Sequence, residues 1–463
     1  MSKRKSWLDS SKPRIGAKLN EVNTQVYWPP WTRIVFRFVF SYLVLYCLYV
    51  FAWIVQIVKG TFTGRSTDTY YDLLCHHIVP WVGSHILRLP TPITVFTGGS
   101  GDTTYDNVLI LCELFLAVVA TILWSMLDRN RTEYRRVHQW LRFVVRLVLS
   151  SQMLIYGMDK LIPQQFGTLN LLTLGTRVGD LTPFDLLWTF MAASKPYTIT
   201  CGAAEVLAGL LLVFPGLTTL GALIAMADMA NVFALDMSYD VPVKLGALHY
   251  LLMALFLVAP EMRRLMNVFI FNRPAAPREQ VPLSNRRWVN RSAEVFLVLA
   301  AIFWLSKFTH ESLTRYASEN HPVTAPRPAL YGIWQVEEFA AARNSSAPLF
   351  TAKLASELRI GPGDDRWMEL IVDSANAGIR LSNGVLAYVT LKLDMNKNTV
   401  LIGDDADEDW KCDFVYQQTG DRQLTLEGHI NGNAATIKLH RVDSSKWILV
   451  TRGFHWINED VFR

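Results

Sequence analysis

Two carboxylates and an amide interrupt a long apolar stretch in the middle of this chain. The stretch Thr200–Asp240 has the composition of two membrane-spanning helices, yet it contains Glu205 in the first and Asp228 and Asn231 in the second. In hydrocarbon an unpaired carboxylate is unfavourable by about 3 kcal/mol, so each must be paired, neutral or next to a wet cavity. Buried acids of this kind can exchange protons with a bound molecule, which makes this hairpin the first candidate for chemistry.

A second polar group precedes the hairpin. Gln152, Tyr156 and Asp159 are spaced by four and three residues in an apolar segment, which places them on one face of a helix, and Lys160 follows directly. Lys160 could join Glu205 in a site, or the two could form an ion pair with a purely structural role. A structural alternative also exists for Asp159 and Lys160, because residues near helix ends can extend their polar tips to the interface.

Two further polar residues lie in apolar segments. Glu113 lies about two turns into one such segment and His249 lies within another. A histidine on an apolar helix usually packs against a satisfied neighbour, although beside Asp228 it could take part in proton transfer.

Long apolar segments must position these groups. The chain has 463 residues, of which 51% are hydrophobic, and this composition predicts a polytopic membrane protein with a soluble part attached. About seven membrane spans are predicted: Ile34–Val58, Asn107–Leu127, Phe143–Ile162, the two helices of Thr200–Asp240, Lys244–Ala259 and Ala293–Phe308. A short amphipathic helix is predicted in the loop after the first span.

Basic residues are concentrated in three blocks, and these predict the orientation. The blocks are Met1–Arg37, Asp128–Arg142 and Arg263–Arg291, and all of them are cytoplasmic if the N-terminus lies inside and the C-terminus outside. The polar residues of the spans then fall between the midplane and the outer face of the membrane, with Glu205 near the midplane. We therefore expect a cavity that is open to the outer face and closed toward the cytoplasm.

Beyond Ala329 the long apolar runs give way to short alternating segments separated by turn signals. Strand candidates near ten-residue spacing predict an antiparallel barrel or sandwich. The clearest hairpin flanks Asn431-Gly432. The predicted domains are a basic cytoplasmic segment (1–32), a helical membrane domain (33–310) and an extracytoplasmic β domain (325–463).

Several kinds of chemistry have no sequence support. The five cysteines form no Cys-x-x-Cys pair, which argues against a dithiol mechanism and a zinc ribbon. His77 and His85 are eight residues apart, too far along a helix to chelate one ion, so we interpret them as surface or interfacial residues and predict no metal site. Nothing suggests a nucleic-acid partner.

The third to fifth spans resemble the DoxX family of small four-helix membrane proteins. The family pattern of Gly-x-x-Lys-Leu, a helix with a central Glu before Gly-Leu-Leu-Leu, a short turn and a Gly/Ala-rich helix is matched at Gly157–Leu161, Glu205–Leu212, Pro215–Thr218 and Gly221–Ala230. The resemblance covers about 142–260. The long N-terminal part, the extra last span and the β domain depart from the small family members.

This resemblance implies a bacterial inner-membrane protein associated with redox or sulfur chemistry, in some members alongside quinones. The cofactor is left open, with a quinone as the candidate, and the expected partners are the lipid bilayer and membrane or extracytoplasmic redox proteins. We expect catalytic roles for Glu205, Asp228 and Lys160 and substrate contacts from Glu113, Gln152, Tyr156, Asp159, Asn231 and His249. The alternatives are a non-enzymatic transporter or envelope assembly protein that binds a lipid or small solute, and a structural anchor for the β domain.

The β domain resembles a lipocalin-type barrel at its start. Leu330–Trp334 contains a Gly-x-Trp opening, and Arg452 is the expected arginine that packs on Trp334. A barrel of this kind implies a binding or packing module rather than an enzyme.

Overall fold

The computed structural model describes residues 27–64, 68–95, 100–277, 281–324, 328–342, 349–361, 363–373, 376–404, 407–444 and 447–451. The predicted N-terminal segment 1–32 therefore lies mostly outside the described residues, as does Arg452. The helices are α1 Pro30–Thr63, α2 Tyr70–His85, α3 Thr104–Leu127, α4 Arg135–Leu161, α5 Leu171–Gly175, α6 Pro183–Ala193, α7 Lys195–Val213, α8 Thr218–Ser238, α9 Lys244–Val258, α10 Met262–Phe269, α11 Arg287–Thr324, α12 Ala352–Glu357 and α13 Ile448–Thr451.

Within the described ranges, seven helical segments are long and apolar enough to cross a membrane. They correspond to α1, α3, α4, α7, α8, α9 and α11, so the predicted number of spans is confirmed. The third span begins earlier than Phe143, at Arg135, because its first turns are basic but still helical. The predicted amphipathic helix after the first span is α2.

Three of the helices begin with the same short signal. The hydroxyls of Thr69, Thr103 and Thr182 each accept a hydrogen bond from the backbone N–H three residues on. The residue at that position is an aspartate, whose carboxylate accepts from the backbone N–H of the threonine. This reciprocal capping satisfies two backbone donors that the helix itself cannot. It starts α6 outside the predicted spans.

The central helix of the bundle is α4, which buries residues along most of its length. Its closest neighbour is α7, and glycines allow the two backbones to approach. A Cβ on Gly202 would lie 2.4 Å from the backbone nitrogen of Leu161 and 2.7 Å from the carbonyl oxygen of Gly157. Only glycine fits this crossing, so the pair Gly157 and Gly202 sets the distance between α4 and α7.

Arginines hold the bundle together at the end where α4 begins. Arg142 donates to the carbonyl of Leu257 at 2.9 Å, and Arg146 donates to those of Leu212 and Val213 at 2.9 and 2.7 Å. These carbonyls belong to the last turns of α9 and α7. Carbonyl groups at a helix end have no backbone N–H partner within their own helix. Two guanidinium groups on α4 therefore fix the ends of two neighbouring spans.

The strands of the C-terminal domain are β1 Gly332–Ala341, β2 Trp367–Val372, β3 Ala377–Leu381, β4 Leu386–Asp394, β5 Thr399–Gly403, β6 Lys411–Thr419, β7 Gln423–Ile430 and β8 Asn433–Val442. Among the described residues they form a closed barrel in which each strand pairs antiparallel with the next and β8 pairs with β1. The β7–β8 hairpin is confirmed, since Asn431 and Gly432 have φ of 47° and 79° as its tight turn requires.

Large side chains fill the interior of the barrel. Trp334, Trp367 and Trp410 are each no more than 1% exposed, and Phe414 packs edge-on against Trp367 with 6.0 Å between the ring centroids. The Trp334 indole donates to the carbonyl of Leu330 at 2.7 Å. The described interior is thus a packed core, because bulky side chains fill the space at these positions.

Arg441 of β8 lies over Trp334, while the predicted Arg452 lies outside the described residues. Its guanidinium carbon is 5.9 Å from the ring centroid, and its Nη2 donates to the carbonyl of Tyr331 at 2.8 Å. Arg441 is in register with Trp334 across the β1–β8 pair. The strand pairing that closes the barrel therefore brings this cation to the ring.

The barrel is docked on the segment that follows α4. Leu171 and Leu172 of α5 pack on Ile333 and Ile371 of the barrel. Arg380, which is 2% exposed, donates to Glu369 at 2.8 Å and also to the carbonyl of Gly175. An apolar contact and a buried arginine thus fix the barrel at the end of the bundle where α4 ends.

The crossing of α4 and α7 predicts an asymmetry between two glycines. Gly202→Ala places a methyl group against backbone atoms and should lower the free energy of unfolding by about 1–3 kcal/mol. Gly179→Ala is the matched control, because a Cβ there would meet nothing within 4 Å. Thermal unfolding of both variants in the same detergent measures the difference. Equal stability of the two variants would contradict the close crossing.

Candidate intramembrane cavity

A cavity of about 250 Å³ lies between the spans. It is lined by the first half of α3, α7 and α9 and by the last half of α4 and α8. Because these helices alternate in direction, their named halves all lie at one end of the bundle. This is the end on which the barrel is docked, and the arginines that bind helix ends lie at the other.

A buried ion pair crosses the cavity wall. The Lys160 ammonium donates to both carboxylate oxygens of Glu205, at 2.7 and 2.9 Å. Lys160 is 8% exposed and Glu205 is 1% exposed. The pair joins α4 to α7 one turn away from the glycine crossing, so the backbone approach brings the two charges into direct contact. Removing either partner would leave a buried charge without compensation.

Three carboxylates at the cavity have an oxygen without a bonding partner. Within the described residues, no hydrogen-bond donor reaches Oδ2 of Asp228, Oδ2 of Asp236 or Oε2 of Glu113. All three residues line the cavity. Buried carboxylate oxygens are stable only with a partner or a proton, so these atoms are able to accept hydrogen bonds or protons from a bound molecule.

Glu113 has one partner that the apolar spans do not supply. The Tyr71 hydroxyl of α2 donates to its Oε1 at 3.1 Å. Burial raises the pKa of Tyr71, and the nearby Glu113 carboxylate raises it further. The phenol therefore remains a donor across the physiological pH range. A Tyr in an amphipathic loop helix carries no sequence signal for this contact, which depends on how α2 packs against α3.

Aromatic rings form much of the remaining wall. Tyr46, Tyr49 and Tyr250 line the side of α1 and α9, while Phe166 and Trp188 line the end of the cavity. The Phe166 and Trp188 rings are edge to face with 5.1 Å between their centroids. Such a lining favours a flat apolar group, with the acids and the lysine available to its polar atoms.

The segment 163–193 covers the cavity at the barrel end. Gln165, Phe166, Leu187, Trp188 and Met191 of this segment all line it. The same segment contains α5, on which the barrel is docked. We call 163–193 the cap segment. The mixed polar and apolar composition of this segment predicts neither its contact with the cavity nor the docking of the barrel on it.

Exposed residues of α7 and α8 also line the cavity. Tyr197 and Asn231 line it and are exposed, Tyr197 by 44%. Both belong to spans, Tyr197 to the first turn of α7 and Asn231 to α8.

The structure brings together most, but not all, of the predicted site residues. Those that line the cavity are Glu113, Tyr156, Lys160, Glu205, Asp228 and Asn231. Gln152 is buried between helices, outside the lining residues. Asp159 accepts a hydrogen bond from Ser312 at 3.0 Å and lies 3.5 Å from the Arg315 guanidinium, so it faces α11 rather than the cavity.

His249 also lies outside the lining residues. Its Nδ1 is 2.6 Å from the carbonyl of Leu245 and its Nε2 is 2.5 Å from the Tyr42 hydroxyl. Since a carbonyl can only accept, Nδ1 carries the proton and Nε2 accepts from Tyr42. The ring is stacked on Tyr46 with 4.0 Å between centroids. His249 thus supports the cavity wall from behind Tyr46.

No candidate metal centre is present among the described residues, where no group of three or more His, Cys, Asp or Glu side chains could hold an ion. The fold and cavity define the class of protein: a multi-pass helical membrane protein with a C-terminal antiparallel β-barrel.

Comparison with known proteins adds one relative. The chain is similar to Uncharacterized protein YwoB of Bacillus subtilis (strain 168), with 26% identity over 166 residues, which are 36% of this chain and 100% of that protein. No family model matches the chain, and no solved structure matches it significantly. Since YwoB is itself uncharacterized, the similarity carries no activity to this chain.

The ion pair predicts unequal effects of single and double substitutions. Lys160→Met leaves the Glu205 carboxylate buried and unpaired, so the free energy of unfolding should fall by about 3–5 kcal/mol. Adding Glu205→Leu removes that charge and should recover most of the loss. Lys307→Met, whose partner Glu311 is partly exposed, is the control with a small effect. A Lys160→Met protein as stable as wild type would contradict a charged pair.

Proposed function

We propose that this is a DoxX-like membrane protein that binds a quinone or quinol in the intramembrane cavity and exchanges protons with it. The observation that carries the proposal is the Lys160–Glu205 pair facing the same aromatic cavity as the unpartnered carboxylate of Asp228. The Gly157–Leu161 and Glu205–Leu212 motifs that resemble the family contribute both members of the pair.

The chemistry of a quinone fits the lining. Its ring is flat and apolar and suits Tyr250, Phe166 and Trp188, while its two carbonyl oxygens need donors. The Lys160 ammonium is such a donor. Oxidation of a bound quinol to quinone would release two electrons and two protons. Asp228 and Glu205 would accept the protons, and a redox partner protein would take the electrons.

The orientation we propose is the one that the basic blocks predict. The arginine-rich end of the bundle faces the cytoplasm, and the cavity end and the barrel face outward from a bacterial inner membrane. We propose further that the barrel is lipocalin-like, which the Gly332–Trp334 opening and Arg441 over Trp334 support. Its packed interior favours a role as a docking module for the cap segment or for a redox partner.

Lipid extraction tests the quinone. Protein purified from membranes should contain quinone or quinol measurable by chromatography, and Glu205→Gln and Asp228→Asn should each lower its amount at least about tenfold, the loss of roughly 1.4 kcal/mol of binding. Asp159→Asn is the matched control, because Asp159 bonds to Ser312 outside the cavity. Equal quinone content in all the variants and the wild type would refute the assignment.

A second function has one specific observation in its favour. Among the described lining residues, carboxylates outnumber cations: the acids are Asp106, Glu113, Glu205, Asp228 and Asp236, and the cation is Lys160. Together with the aromatic rings this suits a small organic cation. A non-enzymatic solute-binding protein of this kind would bind an alkylamine without redox turnover.

Calorimetry with an alkylamine separates the two functions. If the cavity binds cations, Asp228→Asn should weaken amine binding by about fivefold or more while Asp159→Asn leaves it unchanged. Amine binding together with absence of quinone in the purified protein favours the solute-binding function. No heat of amine binding to wild type would exclude it.

A further inference from the structure

A second cavity lies at the opposite end of the bundle from the first. It has a volume of about 360 Å³ and is formed by α4, the start of α11, the turn between α7 and α8 and the segment 281–283. None of its lining residues contributes to the acid-lined cavity. Its chemistry is different, because guanidinium groups replace carboxylates.

Arginines lie at the inner part of this second cavity. Arg142 and Arg146 both line it. Their bonds to the last carbonyls of α9 and α7 have a structural role, since they stabilise two helix ends. The same bonds fix the orientation of both guanidiniums, and a pre-oriented planar group loses less entropy when it binds a phosphate.

Two more arginines lie on the faces that lead into the cavity. On α4, Arg136 precedes the lining residues Gln139, Phe143 and Arg146 by three, seven and ten positions, which is one helical face. On α11, Arg287 precedes Asn290 and Glu294 by three and seven positions.

Arg136 and Arg287 are exposed, and Arg136 donates to Asn285 at 2.9 Å. The four arginines Arg136, Arg142, Arg146 and Arg287 thus extend from the surface to the inner part of the cavity, where Glu294 is the acid that lines it. We call them the arginine track. The track has a clear excess of positive charge.

The remaining wall is apolar, and exposed tryptophans lie beside it. Phe143, Pro215, Val281, Leu283 and Leu297 line the cavity beside the arginines. The adjacent residues Trp140 and Trp288 are 43% and 63% exposed, and tryptophans on membrane helices concentrate at the depth of the lipid headgroups. A soluble phosphate compound has no acyl chains to contact this apolar wall.

We propose that this second cavity binds the phosphate-bearing headgroup of an anionic phospholipid. The arginine track contacts the phosphate, and the apolar wall contacts the glycerol backbone and the first methylenes of the acyl chains. Basic cavities between membrane helices recognise such headgroups through the same combination of charge and apolar contact. The site is independent of what the acid-lined cavity binds.

Native mass spectrometry of the full chain tests this site. Protein released from nanodiscs of phosphatidylcholine mixed with phosphatidylglycerol should retain phosphatidylglycerol in preference to phosphatidylcholine. Arg287 is exposed and is not one of the arginines that bond helix-end carbonyls. Arg287→Gln should therefore weaken that preference about fivefold, as expected for one arginine at a membrane surface. Glu294→Lys should strengthen it by a similar factor. Arg273→Gln, which removes an exposed charge elsewhere, should leave it unchanged.

The outcomes distinguish a lipid from a free anion. Binding of glycerol phosphate or inorganic phosphate with displacement of retained phosphatidylglycerol would overturn the proposal in favour of a soluble ligand. Equal retention of the two lipids by wild type, or equal preference in wild type, Arg287→Gln and Glu294→Lys, would also overturn it. Retention of phosphatidylglycerol that changes in opposite directions in these two variants supports it.

Discussion

The contact between α4 and α7 is the constraint on which the membrane domain depends. Gly157 and Gly202 let the two backbones touch, and one turn away Lys160 and Glu205 form an ion pair within the apolar interior. Each feature requires the other: larger residues at the glycines would separate the charges, and unpaired charges would not be tolerated between the helices. Beside this contact, Glu113 of α3 and Asp228 and Asp236 of α8 line the cavity, each with one carboxylate oxygen that has no hydrogen-bond partner among the described residues.

Opposite kinds of polar chemistry occupy the two ends of the bundle. At one end, arginines of α4 bind the carbonyls of neighbouring helix ends, which satisfies the backbone and closes the bundle. At the other end the carboxylates surround a space with one lysine among the described lining residues. The helix ends explain part of this difference, because cations are stabilised near the last turns of α7 and α9. The unpartnered oxygens of Glu113, Asp228 and Asp236 at the cavity end are available to a bound molecule.

Much of this arrangement follows from residue types and spacing. Apolar length predicts the seven spans, alternation and turns predict the β domain, and Glu205 and Lys160 are recognisable because charges in hydrocarbon need partners. The cap segment was not predictable, since α5 and α6 are short. Leu171 and Leu172 are buried against the barrel and Leu187 and Met191 line the cavity, while Leu186 and Phe190 of α6 are exposed. Asp159 shares a helical face with Tyr156 in the sequence, but α11 supplies Ser312 and Arg315 on its side. Whether Asp159 faces the cavity or α11 is therefore decided by the packing of α11, which is distant in the sequence.

The docking of the barrel on α5 limits how the acid-lined cavity can be reached. The residues that cover the cavity end, such as Trp188, belong to the same segment as Leu172, which is packed on Ile371 of the barrel. Displacing the cap segment from the cavity would thus also displace the C-terminal domain that is packed on it. Access to this end of the cavity and the position of the barrel are therefore mechanically linked.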